Sequence, residues 1–273
     1  MRRETFQTPK PLTLDIRNTS GQIEVDTAET DETVVELEPL RDNEGSRTAV
    51  EEARVELKGD RLVVDVGDRS FFGLTINVNR DVRVSVRAPE GSSVTASGAA
   101  ADMELRGRLG ALEVKTASGD VAVGEVGKDA RAKTASGDVA IDRIAGKLML
   151  VSASGDVAVG AVDGAVEIRA ASGDVSIGTA GSGVTVQTAS GDQKVDSVAQ
   201  GRVELKSASG DIRVGVRRGS RAWLDVRSIS GDAESELAVG EAVEDEEGPF
   251  VEITATSMSG DIRIARASES ARA

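Results

Sequence analysis

The sequence contains no cysteine, no histidine and no tyrosine. Without cysteine there is no disulfide framework and no thiolate metal site. Without histidine the chain lacks the commonest general base and metal ligand, which excludes Ser-His-Asp and Cys-His catalysis and histidine-based zinc sites. We therefore expect that the protein is not an enzyme and that it carries no cofactor.

Aromatic residues are scarce at 2% and prolines number 5, whereas glycines number 30 and hydrophobic residues make up 39%. A core without aromatics must be filled by Val, Ile, Leu and Ala, which suits a narrow, tightly stacked interior. Abundant glycine with little proline favours many tight turns over proline-rich linkers.

The net charge is −14, which repels phosphate backbones, so we expect no nucleic-acid partner. No apolar run approaches the length of a membrane span, and direct membrane insertion is not expected. The start, MRRETFQTPK, has no apolar signal-peptide segment. We expect a cytoplasmic location for the sequence as it stands, and the cell surface if a leader or anchor is missing from it.

The tripeptide Ser-Gly-Asp recurs eight times, at steps of 18, 18, 18, 18, 19, 21 and 29 residues. We expect its glycines to form the sharp corners of a repeat, because glycine tolerates positive φ. They are Gly119, Gly137, Gly155, Gly173, Gly191, Gly210, Gly231 and Gly260. Looser forms precede them at Ser20-Gly21 and Ser97-Gly98.

Apolar pairs with a spacing of two residues flank each corner, such as Val166 and Ile168 before Gly173 and Val175 and Ile177 after it. This alternation is typical of strands with one buried face. A single unit cannot bury that face, but stacked units bury a continuous core. The sequence thus predicts an all-β single-stranded β-helix, a β-solenoid with coils of about 18 residues.

Residues 28–90 depart from the repeat and predict strands near Thr33–Leu37, Arg61–Val66, Leu74–Val78 and Val82–Arg87 and one short helix near Arg47–Leu57. We expect residues 1–90 to form an N-terminal coil and a β-rich cap, since an uncapped solenoid exposes a sheet edge. The solenoid of Ser-Gly-Asp repeats then covers residues 91–265, and residues 266–273 are expected to be a disordered tail.

Units such as Thr-Ala-Ser-Gly-Asp-Val-Ala-Val at residues 116–123 follow this β-rich block. In this respect the chain, over about residues 5–265, resembles the bacterial β-strand-repeat family labelled "putative adhesin", which has no known function and is related to auto-transporter adhesin head domains. The resemblance implies a right-handed β-helix and a link to the bacterial cell envelope or its stress response. It brings no catalytic residues.

The aspartates of the repeat form a second regular row. We expect each to cap its own turn by accepting hydrogen bonds from nearby backbone N–H groups. The alternative is a row of carboxylates that binds Ca²⁺. Its ligands would be Asp120, Asp138, Asp156, Asp174 and Asp192.

Interaction candidates are found where the repeat is interrupted. Met149 and Val151 occupy outward positions that are charged in most coils, and Phe71 and Phe72 form an apolar pair in the cap region. We expect a non-catalytic scaffold or protein-interaction module, with another protein or a second copy as partner. The alternatives are a surface adhesin or polysaccharide-binding domain and, third, a β-helical carbohydrate-active enzyme.

Overall fold

The computed structural model of the chain describes residues 1–66, 80–237 and 248–268. The chain forms two compact units, the N-terminal unit of residues 1–139 and the C-terminal unit of residues 140–273. Strands dominate the described residues, and one short helix accompanies them. The predicted all-β solenoid with one short helix is confirmed.

The N-terminal unit contains two sheets whose central strands run parallel. Its elements are β1 (Arg2–Gln7), β2 (Thr13–Asn18), β3 (Ser20–Ala28), β4 (Glu32–Pro39), α1 (Glu44–Glu52), β5 (Arg54–Lys58), β6 (Arg61–Val66), β7 (Val82–Pro89), β8 (Ser93–Gly98), β9 (Ala100–Leu109), β10 (Leu112–Ser118), β11 (Val121–Val126) and β12 (Ala130–Ser136). One sheet has the order β1-β4-β7-β3-β9-β11 and the other β12-β10-β8-β2-β6-β5. Equivalent residues of successive coils lie side by side, as in the pairing of Val114 with Ala132.

Antiparallel strands and the helix replace the repeat in the first part of this unit. β4 runs antiparallel to β1 and β7, and β5 runs antiparallel to β6. Helix α1 begins after Asn43, whose side chain accepts a hydrogen bond from the backbone N–H of Ser46 at 2.7 Å, the usual N-cap arrangement. The guanidinium of Arg2 donates to the carbonyl of Ala53 at 2.6 Å and satisfies the other end.

The helix predicted over residues 47–57 is therefore wrong in its bounds. Residues 54–58 form strand β5, in which Val55 and Leu57 alternate with charged residues and lie opposite Val64 and Leu62. Period-two alternation and pairing with β6 outweigh the helix propensity of this segment. The predicted strand Leu74–Val78 lies outside the described residues.

The C-terminal unit continues the repeat from within β13. Its strands are β13 (Val139–Ile144), β14 (Leu148–Ser152), β15 (Val157–Val162), β16 (Val166–Ser172), β17 (Val175–Ala180), β18 (Val184–Ser190), β19 (Gln193–Val198), β20 (Gly201–Ser209), β21 (Ile212–Val216), β22 (Arg221–Ser230), β23 (Ala233–Ser235), β24 (Phe250–Ser259) and β25 (Ile262–Arg266). The sheet orders are β13-β15-β17-β19-β21-β25-β23 and β14-β16-β18-β20-β24-β22.

The last two coils of this unit are reversed in space relative to the chain. The coil of β24 and β25 lies between the coil of β20 and β21 and the coil of β22 and β23. Thus Val203 pairs with Ile253, and Ile253 in turn pairs with Leu224. The chain leaves a gap one strand wide after β21 and then returns to fill it, so that β22 becomes the last strand of its sheet among the described residues.

Glycine is required at the corners because successive coils approach closely there. Gly173 has φ +111°, and a Cβ built on it would lie 2.2 Å from the carbonyl oxygen of Gly155. Gly119 differs, because its φ does not lie in the left-handed region. Its Cβ would nevertheless lie 2.1 Å from the carbonyl oxygen of Ala101. The expectation of positive φ is thus wrong for Gly119, where close packing of the coils is what demands glycine.

Candidate interaction surface

The aspartates of the repeat hydrogen-bond from coil to coil. In the N-terminal unit the backbone N–H of Asp138 donates to Oδ1 of Asp120 at 2.9 Å. In the C-terminal unit the same bond joins Asp174 to Asp156 and Asp192 to Asp174, each at 2.8 Å. We call these bonds the aspartate ladder; in the C-terminal unit it continues through Asp211, Asp261 and Asp232.

The ladder differs from the expected capping within one turn. Each carboxylate accepts the N–H of the equivalent aspartate in the neighbouring coil rather than an N–H of its own turn. In two coils the corner backbone is also satisfied from within, because Ser152 Oγ donates to the carbonyl of Ser154 at 3.0 Å and Thr134 Oγ1 to that of Ser136 at 3.0 Å. The ladder thus holds coils together and engages Oδ1 of the accepting carboxylates.

No group of three or more acidic side chains suited to hold a metal ion is found within residues 1–66, 80–237 and 248–268. Successive ladder carboxylates are arranged in a single row, whereas Ca²⁺ takes six to eight oxygen ligands around one point. The Ca²⁺ alternative for Asp120, Asp138, Asp156, Asp174 and Asp192 remains a prediction.

Charged residues on the outer face of the coils pair along their own strands. In the C-terminal unit Glu167 contacts Arg169 at 2.9 Å, and Glu204 contacts Lys206. The ammonium of Lys206 donates a hydrogen bond to the carboxylate of Glu204 and holds its pKa below the ordinary value. These pairs leave the outer face charged but internally compensated.

Met149 and Val151 interrupt this charged face. They occupy the outward positions of β14 and lie beside Glu167 and Arg169 of β16. Their side chains are 46% and 40% exposed. The coil thus presents two adjacent apolar side chains where its neighbour in the C-terminal unit presents an ion pair, and we call these two residues the Met149 patch.

A second exposed apolar group lies at β22 and β24. Trp223 is 50% exposed, Ile229 77%, Phe250 49% and Met258 57%. The register brings Ile229 beside Met258, and it places Phe250 opposite Arg221, whose guanidinium lies 5.9 Å from the centre of the phenyl ring. A cation over a ring face at this distance is mildly attractive.

A departure from the repeat marks this second group in the sequence. Two residues before the corner glycine, six coils have alanine, whereas the last two have Ile229 and Met258. Trp223 and Phe250 lie 27 residues apart in the sequence, but β24 returns alongside β22 and brings them onto neighbouring strands. This proximity results from the reversed order of the last two coils.

The cavities of the surface differ in their acidic residues. One in the N-terminal unit has a volume of about 340 Å³ and is lined by Glu24, Asp26, Glu36 and Glu104. Glu24, Glu36 and Glu104 are paired with arginine side chains. One in the C-terminal unit has a volume of about 350 Å³. Asp163 is the one acid among its described lining residues, and it is paired with Arg143 at 2.8 Å. Glycoside hydrolysis ordinarily uses two carboxyl groups that flank the scissile bond, and the cavity of the C-terminal unit, with one acid, does not provide them.

Residues 12–265 match the family model described as Toastrack DUF4097. The chain belongs to this Toastrack family. The match spans the coils and the cap together, and the resemblance inferred from the Ser-Gly-Asp units is confirmed. The family is one of unknown function, so membership fixes the fold and leaves the activity open.

Three solved structures resemble the Toastrack chain over nearly its whole length. A "putative adhesin" from Bacteroides fragilis is 13% identical, with 96% of each chain covered and a TM-score of 0.44. A "putative lipid binding protein" from Parabacteroides distasonis has the same identity and coverage and a TM-score of 0.45. A "putative cell adhesion protein" from Clostridium sporogenes is 11% identical, with 97% of this chain and 99% of that chain covered and a TM-score of 0.24. No curated protein matches the chain.

Phe71 and Phe72 lie outside the described residues, as does the acidic run of residues 241–247. Within the described part of the Toastrack chain, no helix has the length and apolar character needed to cross a membrane.

Proposed function

We propose that this Toastrack chain is a non-catalytic β-solenoid scaffold that binds other proteins, in connection with the bacterial cell envelope or its stress response. In this proposal the N-terminal coil and cap of residues 1–90 close the solenoid, and residues 91–265 present the binding surface. The link to the envelope comes from the family resemblance, and the binding role from the surface.

The Met149 patch is the observation that carries the binding role. Two exposed apolar side chains side by side cost solvation free energy in water, and Met149 and Val151 stand where β16 and β20 carry an ion pair. Replacing them by Lys and Glu would cost the fold little, because each new charge would lie opposite a residue of the other sign in β16. Contiguous apolar surface rimmed by polar residues is a common place for a partner to bind.

The polar groups of the repeat support a non-catalytic role. Catalytic carboxylates need free oxygens directed at a substrate and pKa values suited to proton transfer. In the aspartate ladder Oδ1 of the accepting carboxylates is bonded to the next coil, and the outward glutamates Glu167 and Glu204 are engaged by basic neighbours.

The test compares two double variants of the full chain. Met149→Lys with Val151→Glu replaces the apolar pair by charges opposite in sign to Glu167 and Arg169 of β16. Thr185→Lys with Gln187→Glu makes the same change at the equivalent positions of β18, which also pair with Glu167 and Arg169. Each chain is immobilised and exposed to an extract of its native cell, and bound proteins are quantified by mass spectrometry.

We expect at least one protein that binds both the wild type and the β18 control. The captured amount of this protein should be at least tenfold lower with the Met149 variant. Equal capture by all three chains would place binding away from the patch. Circular dichroism of the two variants should match the wild type, since both changes lie on the outer face of a parallel sheet.

The paired aromatics favour polysaccharide binding as a second candidate function. Trp223 and Phe250 lie on neighbouring strands with Arg221 beside them, and exposed aromatic faces are suited to pack against sugar rings. Trp223 is the only tryptophan and the chain has no tyrosine, so its fluorescence reports on this surface alone. A saturable change in emission with envelope polysaccharide, lost in Phe250→Ala, would support this candidate, and an unchanged spectrum would remove it.

A further inference from the structure

Strand β22 is the last strand of its sheet among the described residues, and its inner face is incompletely covered. Leu224 and Val226 point inward yet are only half-buried. Their partners in β24, Ile253 and Ala255, are fully buried. The N-terminal unit has a cap of antiparallel strands and a helix, and no described element of the C-terminal unit covers β22 in this way.

Among the described residues, no strand pairs with the backbone groups on the open side of β22. In a parallel pair every second residue bonds to the same neighbour with both its N–H and its C=O. The N–H of Arg221 donates to the carbonyl of Pro249 at 2.8 Å, so the odd-numbered residues from Arg221 to Arg227 bond to β24. The even-numbered residues Ala222, Leu224 and Val226 direct their N–H and C=O groups away from β24, which leaves a template for another strand.

The sequence of β22 is complementary to itself when two copies run antiparallel around Val226. In this register Asp225 of each copy lies opposite Arg227 of the other, and Trp223 lies opposite Ile229. All four residues are on the outer face. On the inner face Val226 meets its own copy, so that each half-buried core face covers the other.

Other registers that keep the inner faces together lose this complementarity. Centring the pair on Asp225 places two carboxylates opposite each other, and centring it on Arg227 places two guanidinium groups opposite each other. Centring it on Leu224 places Arg221 opposite Arg227. Like charges directly opposite destabilise a strand pair, whereas opposite charges and aromatic–aliphatic pairs stabilise it.

We propose that β22 binds β22 of a second copy of this chain, antiparallel around a two-fold axis at Val226. The pairing is isologous, so it closes at a dimer. The Asp225–Arg227 contact within one strand, at 2.9 Å, becomes half of a four-charge group of alternating sign. The inference names one partner for the interaction role proposed above and rests on it, but it uses residues separate from the Met149 patch.

Single cysteine substitutions test the register directly, because the chain contains no cysteine. Under mild oxidation Val226→Cys should yield a disulfide-linked species of twice the 28.3 kDa chain mass, since the two sulfur-bearing residues face each other across the axis. Leu224→Cys is the matched control: it is also inward and half-buried, but its two copies would be about 13 Å apart along the strands, beyond the reach of a disulfide.

Charge exchange provides the second test, with sedimentation velocity as the measurement. Asp225→Arg places arginine opposite arginine and should raise the dimer dissociation constant at least tenfold. Adding Arg227→Asp restores opposite charges and should recover most of that loss. Wild-type dimerisation should also shift the emission of Trp223, the only tryptophan, as its ring packs against Ile229.

Three results would overturn the proposal. They are a wild-type monomer at all concentrations up to 100 µM, equal cross-linking of the two cysteine variants, and failure of the double charge exchange to restore the dimer. The Met149 variant should dimerise like the wild type, so a failed dimer test and a failed capture test are distinguishable.

Discussion

Alanine at a repeat corner should destabilise the C-terminal unit far more than alanine in an ordinary turn. Gly173 and Gly219 both have positive φ, +111° and +86°. A Cβ on Gly173 would lie 2.2 Å from the carbonyl oxygen of Gly155 and 3.2 Å from Oδ1 of Asp156, whereas a Cβ on Gly219 meets nothing within 4 Å. The two substitutions therefore share the backbone penalty and differ in the overlap.

The magnitudes follow from these contacts. A non-glycine residue in left-handed backbone costs about 1–2 kcal/mol, partly offset by the smaller entropy of the unfolded chain. Forcing a methyl group into packed backbone adds about 1–3 kcal/mol. Gly173→Ala should thus lower the free energy of unfolding by about 2–5 kcal/mol and Gly219→Ala by about 1 kcal/mol. Gly173→Ala should also lengthen the hydrogen bond from the N–H of Asp174 to Oδ1 of Asp156, because the new methyl group crowds this oxygen.

Urea denaturation followed by circular dichroism measures both variants against the wild type. A difference of at least 1 kcal/mol between them, with Gly173→Ala the less stable, agrees with coils in contact at the glycine. Equal losses, or a larger loss at Gly219, would refute the close-approach explanation of the repeat glycine.

Three more predictions follow from the ladder and from one ion-pair cluster. Asp174→Ala leaves the N–H of Asp192 without its acceptor and should cost about 1 kcal/mol in urea denaturation, whereas Asp174→Asn keeps an acceptor oxygen and should cost less; equal losses would count against the ladder bond. Calorimetry with millimolar Ca²⁺ should give no binding heat, and heat that disappears in Asp174→Ala would establish the metal site instead. Hydrogen bonds from Arg54 and Lys58 lower the pKa of Glu56 to about 2; the carboxylate therefore favours the folded state above its ordinary pKa near 4.5, and this contribution is lost as the pH falls toward 2. Carboxyl carbon shifts measured by NMR should show that midpoint, and a midpoint near 4.5 would contradict the pairing.

Much of the solenoid is predictable because each coil repeats the same local rule. Val166 and Ile168 alternate with charged residues, and a strand with one apolar face must be stacked on others like itself. The corner glycine and the side-by-side stacking of equivalent residues both follow from this rule. The structure bears them out in both units.

Features that depend on which coil lies next to which are not contained in the local pattern. Strands β22 and β24 have the same alternation, and either could follow β20, so the steps of 21 and 29 residues signalled irregularity without its cause. The proximity of Trp223 to Phe250 depends on that order. The ladder bond likewise joins residues one coil apart, and an aspartate pattern alone cannot distinguish it from a cap within one turn.

Helix α1 shows a different limit. Asn43 fixes its start through the hydrogen bond to Ser46, a signal that was present in the sequence. Its end depends on β5 pairing with β6, and helix propensity within residues 54–58 does not reveal that long-range contact.

The central claim is that the repeat uses its polar groups to hold coils together and leaves binding to the places where it is broken. Amide hydrogen exchange, measured by NMR with and without Ca²⁺ over a range of protein concentrations, tests it most directly. We expect slow exchange for the ladder amides of Asp174 and Asp192, at a rate that Ca²⁺ does not change. At Leu224 and Val226 we expect amide exchange that becomes slower as the protein concentration rises. Fast exchange in the ladder, or protection there that depends on Ca²⁺, would contradict this claim.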